Sequence, residues 1–304
     1  MDIYLPIAEV SVNALVIVAM GALVGVLSGM FGVGGGFLTT PLLMFYGIPP
    51  AVAVASSATQ ITGASVSGAM AHWRRGGVDP KMAAVMIAGG ILGSGLGSIL
   101  FRMLQKSGQI DIAIPLVYVL LLGSIGALML RDALRGMGAA KRGQPAPRVN
   151  RHNRFIAALP GRTRFYKSGL YVSPLAPFLL GVAVGVLTVI MGIGGGFIMV
   201  PAMIYLLGMQ ASVVIGTSLL QIVFVTAAAT LIQAVNSKSV DIVLAVLLLI
   251  GGVAGAQVGA RAAQKLPAEK LRLALAVLVL AVALRLLLGL TWRPGEIYSV
   301  QGPA

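Results

Sequence analysis

The chain has 304 residues, of which 58% are apolar and only 10% charged, where soluble domains carry about 25%. That balance excludes an ordinary water-soluble enzyme, and the absence of cysteine excludes a disulfide framework, a thiolate metal site and cysteine chemistry together. The net charge of +14 would suit nucleic acid were it spread over one face, but ten of the 22 basic residues crowd between Arg131 and Lys167, so no nucleic-acid partner is expected.

The remaining charges leave long gaps. No Asp, Glu, Lys or Arg occurs from Val10 to Trp73, or from Ser168 to Ser237. Each gap far exceeds the ~20 apolar residues that cross ~30 Å of hydrocarbon. The fold class is therefore all-α, a polytopic helical membrane protein. The first ten residues carry Asp2 and Glu9 but no Lys or Arg, and so lack the basic start of a signal peptide.

Five apolar segments follow, at about 11–31, 36–48, 50–73, 80–103 and 110–130. Between the first two lies Gly32–Phe37, a GxGGGF run, and the second segment is too short: thirteen residues reach only ~20 Å. It reads as a half-helix behind an unwound crossing, where backbone N–H groups and the positive end of a helix dipole can meet an anion. The alternative is a tight turn with close helix packing. The third segment is polar on one face, with Ser56, Gln60, Gly63 and Ser67 spaced four, three and four apart. Asp79 opens the fourth as an N-cap, or less simply as a coupling-proton site. Gly89, Gly93 and Gly97 follow in the small-xxx-small pattern of close helix contact, as do Gly21, Gly25 and Gly29 earlier.

Residues 132–169 form a basic linker with too few apolar residues to make a domain, except a short amphipathic piece at Phe155–Leu159. It is placed in the cytoplasm against anionic lipid. Beyond it the pattern returns. Segments at about 173–191, 196–208, 210–235, 241–264 and 270–291 repeat the first five at a spacing of 160 to 162 residues. GVGGGFLTTP (32–41) faces GIGGGFIMVP (192–201), Gln60 faces Gln221, Asp79 faces Asp241, and Gly89, Gly93 and Gly97 face Gly251, Gly255 and Gly259. Membrane repeat 1 thus spans 1–131 and membrane repeat 2 spans 170–304. The loop-charge bias reverses between the copies, which predicts inverted-topology repeats with both termini outside. Arg285, inside the last segment, is either functional or snorkels to the interface.

The duplicated GxGGGF with its following proline, the polar helix with its glutamine and the period near 160 resemble the TauE/SafE family of sulfite exporters, of 4-toluene sulfonate uptake permease type. The resemblance implies a transporter of a small inorganic or organosulfur anion in the bacterial cytoplasmic (inner) membrane. An anion channel and a membrane-embedded assembly factor are the competing readings. No enzyme activity, cofactor or metal is expected, because no carboxylate lies mid-segment and both histidines are on loops. Association into a homo-oligomer is left open.

The expected substrate site combines the two half-helix N-termini with the polar faces behind them. In the first copy it takes Gly34, Gly35, Gly36, Phe37, Ser56, Ser57 and Gln60. In the second it takes Gly194, Gly195, Gly196, Phe197, Thr217, Ser218 and Gln221. The glutamines are either anion ligands or helix–helix hydrogen-bonding groups. A methyl group at Gly35 or Gly195 is expected to block the anion in protein that still folds, and leucine at either glutamine to weaken binding.

Overall fold

The computed structural model describes residues 2–31, 35–141, 163–209, 211–263 and 268–291. Each copy opens with a short antiparallel hairpin, β1 (Asp2–Leu5) with β2 (Val10–Asn13), and β3 (Thr163–Phe165) with β4 (Leu170–Val172). Five helices follow each hairpin. In the first copy they are α1 (Ala14–Phe31), α2 (Gly36–Phe45), α3 (Pro50–Arg74), α4 (Pro80–Lys106) and α5 (Ile110–Lys141). In the second they are α6 (Leu175–Met191), α7 (Gly196–Tyr205), α8 (Ala211–Asn236), α9 (Ile242–Ala263) and α10 (Ala268–Thr291).

Five stretches within these helices, in α4, α5, α8, α9 and α10, are long and apolar enough to cross a membrane. The ten-residue α2 and α7 are not. Helix α2 ends before Gly47 (φ 92°), and Pro49 and Pro50 then open α3, with proline tolerated in a first turn because its missing N–H has no partner there. The Asn13 N–H donates to the Tyr46 hydroxyl at 3.4 Å, so α2 returns to the end from which α1 starts. Helix α5 runs past the expected apolar limit to Lys141, its last turns being polar rather than broken. The amphipathic piece expected at Phe155–Leu159 lies outside the described residues.

Glycine stripes set the helix pairing. Gly21 and Gly25 of α1 face the carbonyls of Leu248 and Gly252 in α9, while Gly251, Gly255 and Gly259 face those of Val18, Ala22 and Val26. A methyl group at any of the five would overlap or crowd a carbonyl oxygen. The same contacts recur with the copies exchanged: Gly181 and Gly185 of α6 on Met86 and Gly90 of α4, and Gly89, Gly93 and Gly97 on Phe178, Val182 and Val186. Both pairs run parallel. The equivalent helices α3 and α8 instead run antiparallel, with Thr62 donating to Thr226 at 2.7 Å and Thr59 to Thr230 at 3.4 Å.

The two aspartates lock the hairpins onto this frame. Asp79 caps α4 through the Met82 N–H at 3.1 Å, and its second oxygen accepts from the Ser168 N–H at 3.0 Å and from the Ser168 hydroxyl, in the β3–β4 turn. Asp241 caps α9 through the Leu244 N–H at 3.1 Å and accepts from the Ile7 N–H, in the β1–β2 turn, at 3.1 Å. Both carboxylates are buried. Each therefore ties the hairpin of one copy to a helix of the other. Two-stranded hairpins are marginal alone, and nothing in the apolar pattern of these short strands announces them.

Alanine at Asp79 or Asp241 removes the cap and strands buried N–H groups, a loss of about 1–3 kcal/mol for each group left unsatisfied. Both variants should unfold at lower temperature in detergent, with the asparagine versions intermediate. An unchanged melting temperature with altered transport would instead assign the carboxylates to proton coupling.

Candidate functional site

The glycine loops need glycine for a backbone reason. Gly35 has φ 61°, Gly192 68°, Gly194 71° and Gly195 77°, in the left-handed region that side chains disfavour. Gly35 caps α2, with the Leu38 and Thr39 N–H groups donating to its carbonyl at 3.0 and 3.4 Å. Gly195 caps α7 in the same way, accepting from Ile198 at 3.1 Å and Met199 at 2.7 Å. The first turn of each helix thus presents N–H groups that have no partner within the helix, at the positive end of its dipole.

The two half-helices meet head to head. Phe37 and Phe197, both buried in the first turns, stack with centroids 4.8 Å apart and planes 18° apart. A methyl group on Gly36 would lie 2.8 Å from the Gly192 carbonyl oxygen and 2.9 Å from that of Ile193. The end of α6 is held from three sides. The Tyr118 hydroxyl and the Thr40 hydroxyl (3.2 Å) both donate to the Met191 carbonyl, and the Gln233 amide donates to the Val189 carbonyl at 2.8 Å. These three residues escape sequence reasoning because none has a polar counterpart at the matching position of the other copy, apart from His72 opposite Gln233.

Gln60 stands beside its own copy's loop. Its carbonyl accepts from Thr39 at 3.1 Å, and a methyl group on Gly252 would come within 2.6 Å of its amide nitrogen. Gly25, Ser28, Gly35, Gln60, Gly252 and Ala256 line a small recess there, with room for about one water molecule. Gln221, fully buried, faces Gly90, where a methyl group would lie 3.3 Å from its amide nitrogen. Neither polar atom of its amide has a hydrogen-bond partner in the protein.

The hydroxyls expected at the site divide. Ser56 accepts from the Asp241 N–H at 3.3 Å, and Thr217 from the Asp79 N–H at 3.0 Å, so both are turned toward the aspartate caps. Ser218 donates to the Ile215 carbonyl at 3.0 Å, while the buried Ser57 hydroxyl has no partner. Gly36, Phe37 and Phe197 come together where the half-helices meet, Gly35 and Gly195 cap those helices, and Gly194 packs against Ile61, Ile222 and Thr226. Gly34 lies outside the described residues. Arg285 is exposed, its guanidinium 5.1 Å above the Phe45 ring at the far end of α2. Among the described residues no three His, Asp or Glu side chains converge as metal ligands.

A broken-helix pair duplicated across a glycine-packed frame finds its match in a family description, sulfite exporter TauE/SafE, whose model covers residues 17–286. The chain belongs to the TauE/SafE family. Relatives agree along its length. A probable membrane transporter protein of Bacillus subtilis, YjnA, is 30% identical over 274 residues, covering 89% of this chain and 98% of the relative. A probable membrane transporter protein of Xylella fastidiosa is 31% identical over 288 residues, covering 92% and 96%. The Arabidopsis thaliana sulfite exporter TauE/SafE family protein 1 is 31% identical over 103 residues, or 34% of this chain and 23% of that one. No solved structure matches.

In this TauE/SafE protein the glycines do not tolerate alanine equally. A methyl group on Gly195 would overlap Val184, whereas on Gly35 it would stand 3.1 Å from Ser28 and Val24. Both also incur the left-handed penalty of roughly 1–2 kcal/mol. Gly195→Ala is therefore expected to lower the folded yield and melting temperature well beyond Gly35→Ala, measured on detergent-purified protein by size exclusion and thermal unfolding. Only Gly35→Ala should remain folded enough to report on anion binding.

Proposed function

We propose that this chain is a secondary transporter that carries a small anion, sulfite or an organosulfur or organic anion, across the bacterial cytoplasmic membrane by alternating access. The observation that carries the reading is the head-to-head meeting of two half-helix N-termini. Two positive dipole ends repel unless something negative lies near them, and a positioned anion supplies that charge. Donors are available from the backbone, so no buried cation is needed to bind it. The site offers no free acid or base for chemistry, since Asp79 and Asp241 are occupied at the hairpins. Transport rather than catalysis is the reading that fits.

Alternating access draws support from two features. The Gln60 recess has room for about one water and is smaller than a sulfite ion, so an anion enters only if the copies move apart. An open anion channel fits that closed arrangement less well. The equivalent helices α3 and α8 also run in opposite directions, as those of copies inserted upside down relative to one another would. On this reading the chain divides into membrane repeats at 1–131 and 170–304 and a basic linker at 132–169 in the cytoplasm against anionic lipid, with α5 continuing into the linker to Lys141 and β3 lying near its far end.

Sulfite, thiosulfate, sulfate and sulfoacetate, titrated against purified protein, should sort into those that raise the melting temperature and those that do not. Saturation at about 100 times Kd corresponds to ~2.7 kcal/mol of apparent stability. Labelled anion trapped in proteoliposomes should exchange faster when unlabelled anion is added outside. Absence of both binding and exchange would refute the reading. Topology is tested separately by single cysteines at Ser11 and Gln144, which should react with impermeant reagents from opposite sides of the membrane.

A further inference from the structure

The two copies are built alike but their glutamines are not treated alike. Gln60 and Gln221 are each the eleventh residue of their helices, α3 and α8, and Thr39 and Met199 each the fourth of theirs, α2 and α7. In the first copy Thr39 donates to the Gln60 carbonyl at 3.1 Å. In the second, Met199 has no hydroxyl to offer, and both amide atoms of the fully buried Gln221 stand without a partner in the protein. Burying an amide without partners carries a large desolvation penalty, which a bound group relieves.

The surroundings of Gln221 are those of a binding position. Its amide faces Gly90, which packs on Gly185 of α6. Gly195, the cap of α7, lies against Val184 and Thr188 on the same turn of α6. Gln221, through Gly90, and the half-helix N-terminus therefore border the same turn of α6. One residue nearby is also more polar than its counterpart in the first copy, with Ser94, whose hydroxyl donates to the Gly90 carbonyl at 2.9 Å, in place of Ala256.

We propose that the second copy is the anion-reading half of the site, with Gln221 as its specificity residue, and that the ligand is an oxyanion that retains one O–H, hydrogensulfite being the simplest. This rests on the transport reading above. The amide N–H groups donate to the charged oxygens of the anion, and the amide carbonyl accepts from its O–H. Both orphaned atoms are satisfied at once. Gln60, already held by Thr39, shapes the opposite half and contributes less to recognition.

The test compares purified wild type with Gln221→Met, Met199→Thr and Gln60→Met. Each is measured for melting temperature without ligand and for affinity toward sulfite and methanesulfinate, at mildly acidic pH where sulfite carries one proton. Methanesulfinate has the same charge and a methyl group in place of the O–H. Wild type should prefer hydrogensulfite. Gln221→Met removes an unsatisfied buried amide, and Met199→Thr gives that amide an internal partner as Thr39 does for Gln60. Both should melt higher than wild type yet bind hydrogensulfite about tenfold more weakly or worse, the cost of one lost hydrogen bond to a charged group. Both should also lose the preference over methanesulfinate. Gln60→Met should melt lower and lose less affinity. If Gln221→Met melts higher but binds within twofold of wild type, Gln221 is a packing group and the proposal falls while the transport reading stands. Equal losses at the two glutamines would make the halves equivalent and also overturn it. A wild type that binds neither anion would remove the transport reading for this substrate class, and the inference with it.

Discussion

A helix interrupted inside hydrocarbon is the constraint from which the rest of this architecture follows. Lipid offers no hydrogen bonds, so the ends of a broken helix need protein around them. Here α1 and α2, and α6 and α7, break at the glycine loops, and the surrounding helices close over the breaks. That closure depends on backbone contact along α1–α9 and α4–α6, where glycines at every fourth position admit a neighbouring carbonyl. One methyl group in such a stripe pushes two helices apart and opens the loops behind them. The stripes and the loops are thus one device, although they lie in different segments of the sequence.

Reciprocity between the copies extends this device to the ends of the molecule. Each aspartate caps a helix of its own copy, holds the hairpin turn that precedes the other copy's helices, and donates its backbone N–H to a hydroxyl on α3 or α8 of the opposite copy. A movement that separates the copies therefore has to strain or release these clamps at the two ends. The polar contacts at the centre, Thr62 with Thr226 and Thr59 with Thr230, are hydroxyl pairs that can exchange partners within their own helices, where each already has a carbonyl in reach on α3. Firm ends around an adaptable centre suit a site that opens to one side at a time.

The fold was legible because membrane helices write themselves in apolar length, and because duplication shows every motif twice. Gly32–Phe37 against Gly192–Phe197 marked the breaks, and among the described residues every helix but α5, which runs on to Lys141, falls within a few residues of an apolar segment. The hairpins were not legible: three- and four-residue strands carry too little pattern, and their stability comes from Asp79 and Asp241, distant in sequence. Of the candidate site, the glycine loops and half-helices were legible, and the surroundings of its side chains less so. Ser56 and Thr217 share a polar face with Gln60 and Gln221, yet helix geometry turns them to the aspartates one turn away. Spacing identifies a face; it does not say which neighbour each residue on that face meets.

Symmetry of the frame and asymmetry of the site answer different demands. On the transport reading, inverted copies that pack alike make the inward- and outward-facing arrangements nearly equal in energy, because one is the other with the copies exchanged. A bound anion, however, has one orientation at a time, and two identical half-sites would compete for it. Divergence is cheapest where it leaves the frame alone. The fourth residues of α2 and α7 meet that condition: Thr39 and Met199 are both buried and lie off the glycine stripes. One hydroxyl satisfies the glutamine beside it, and its absence leaves the other glutamine without a partner in the protein.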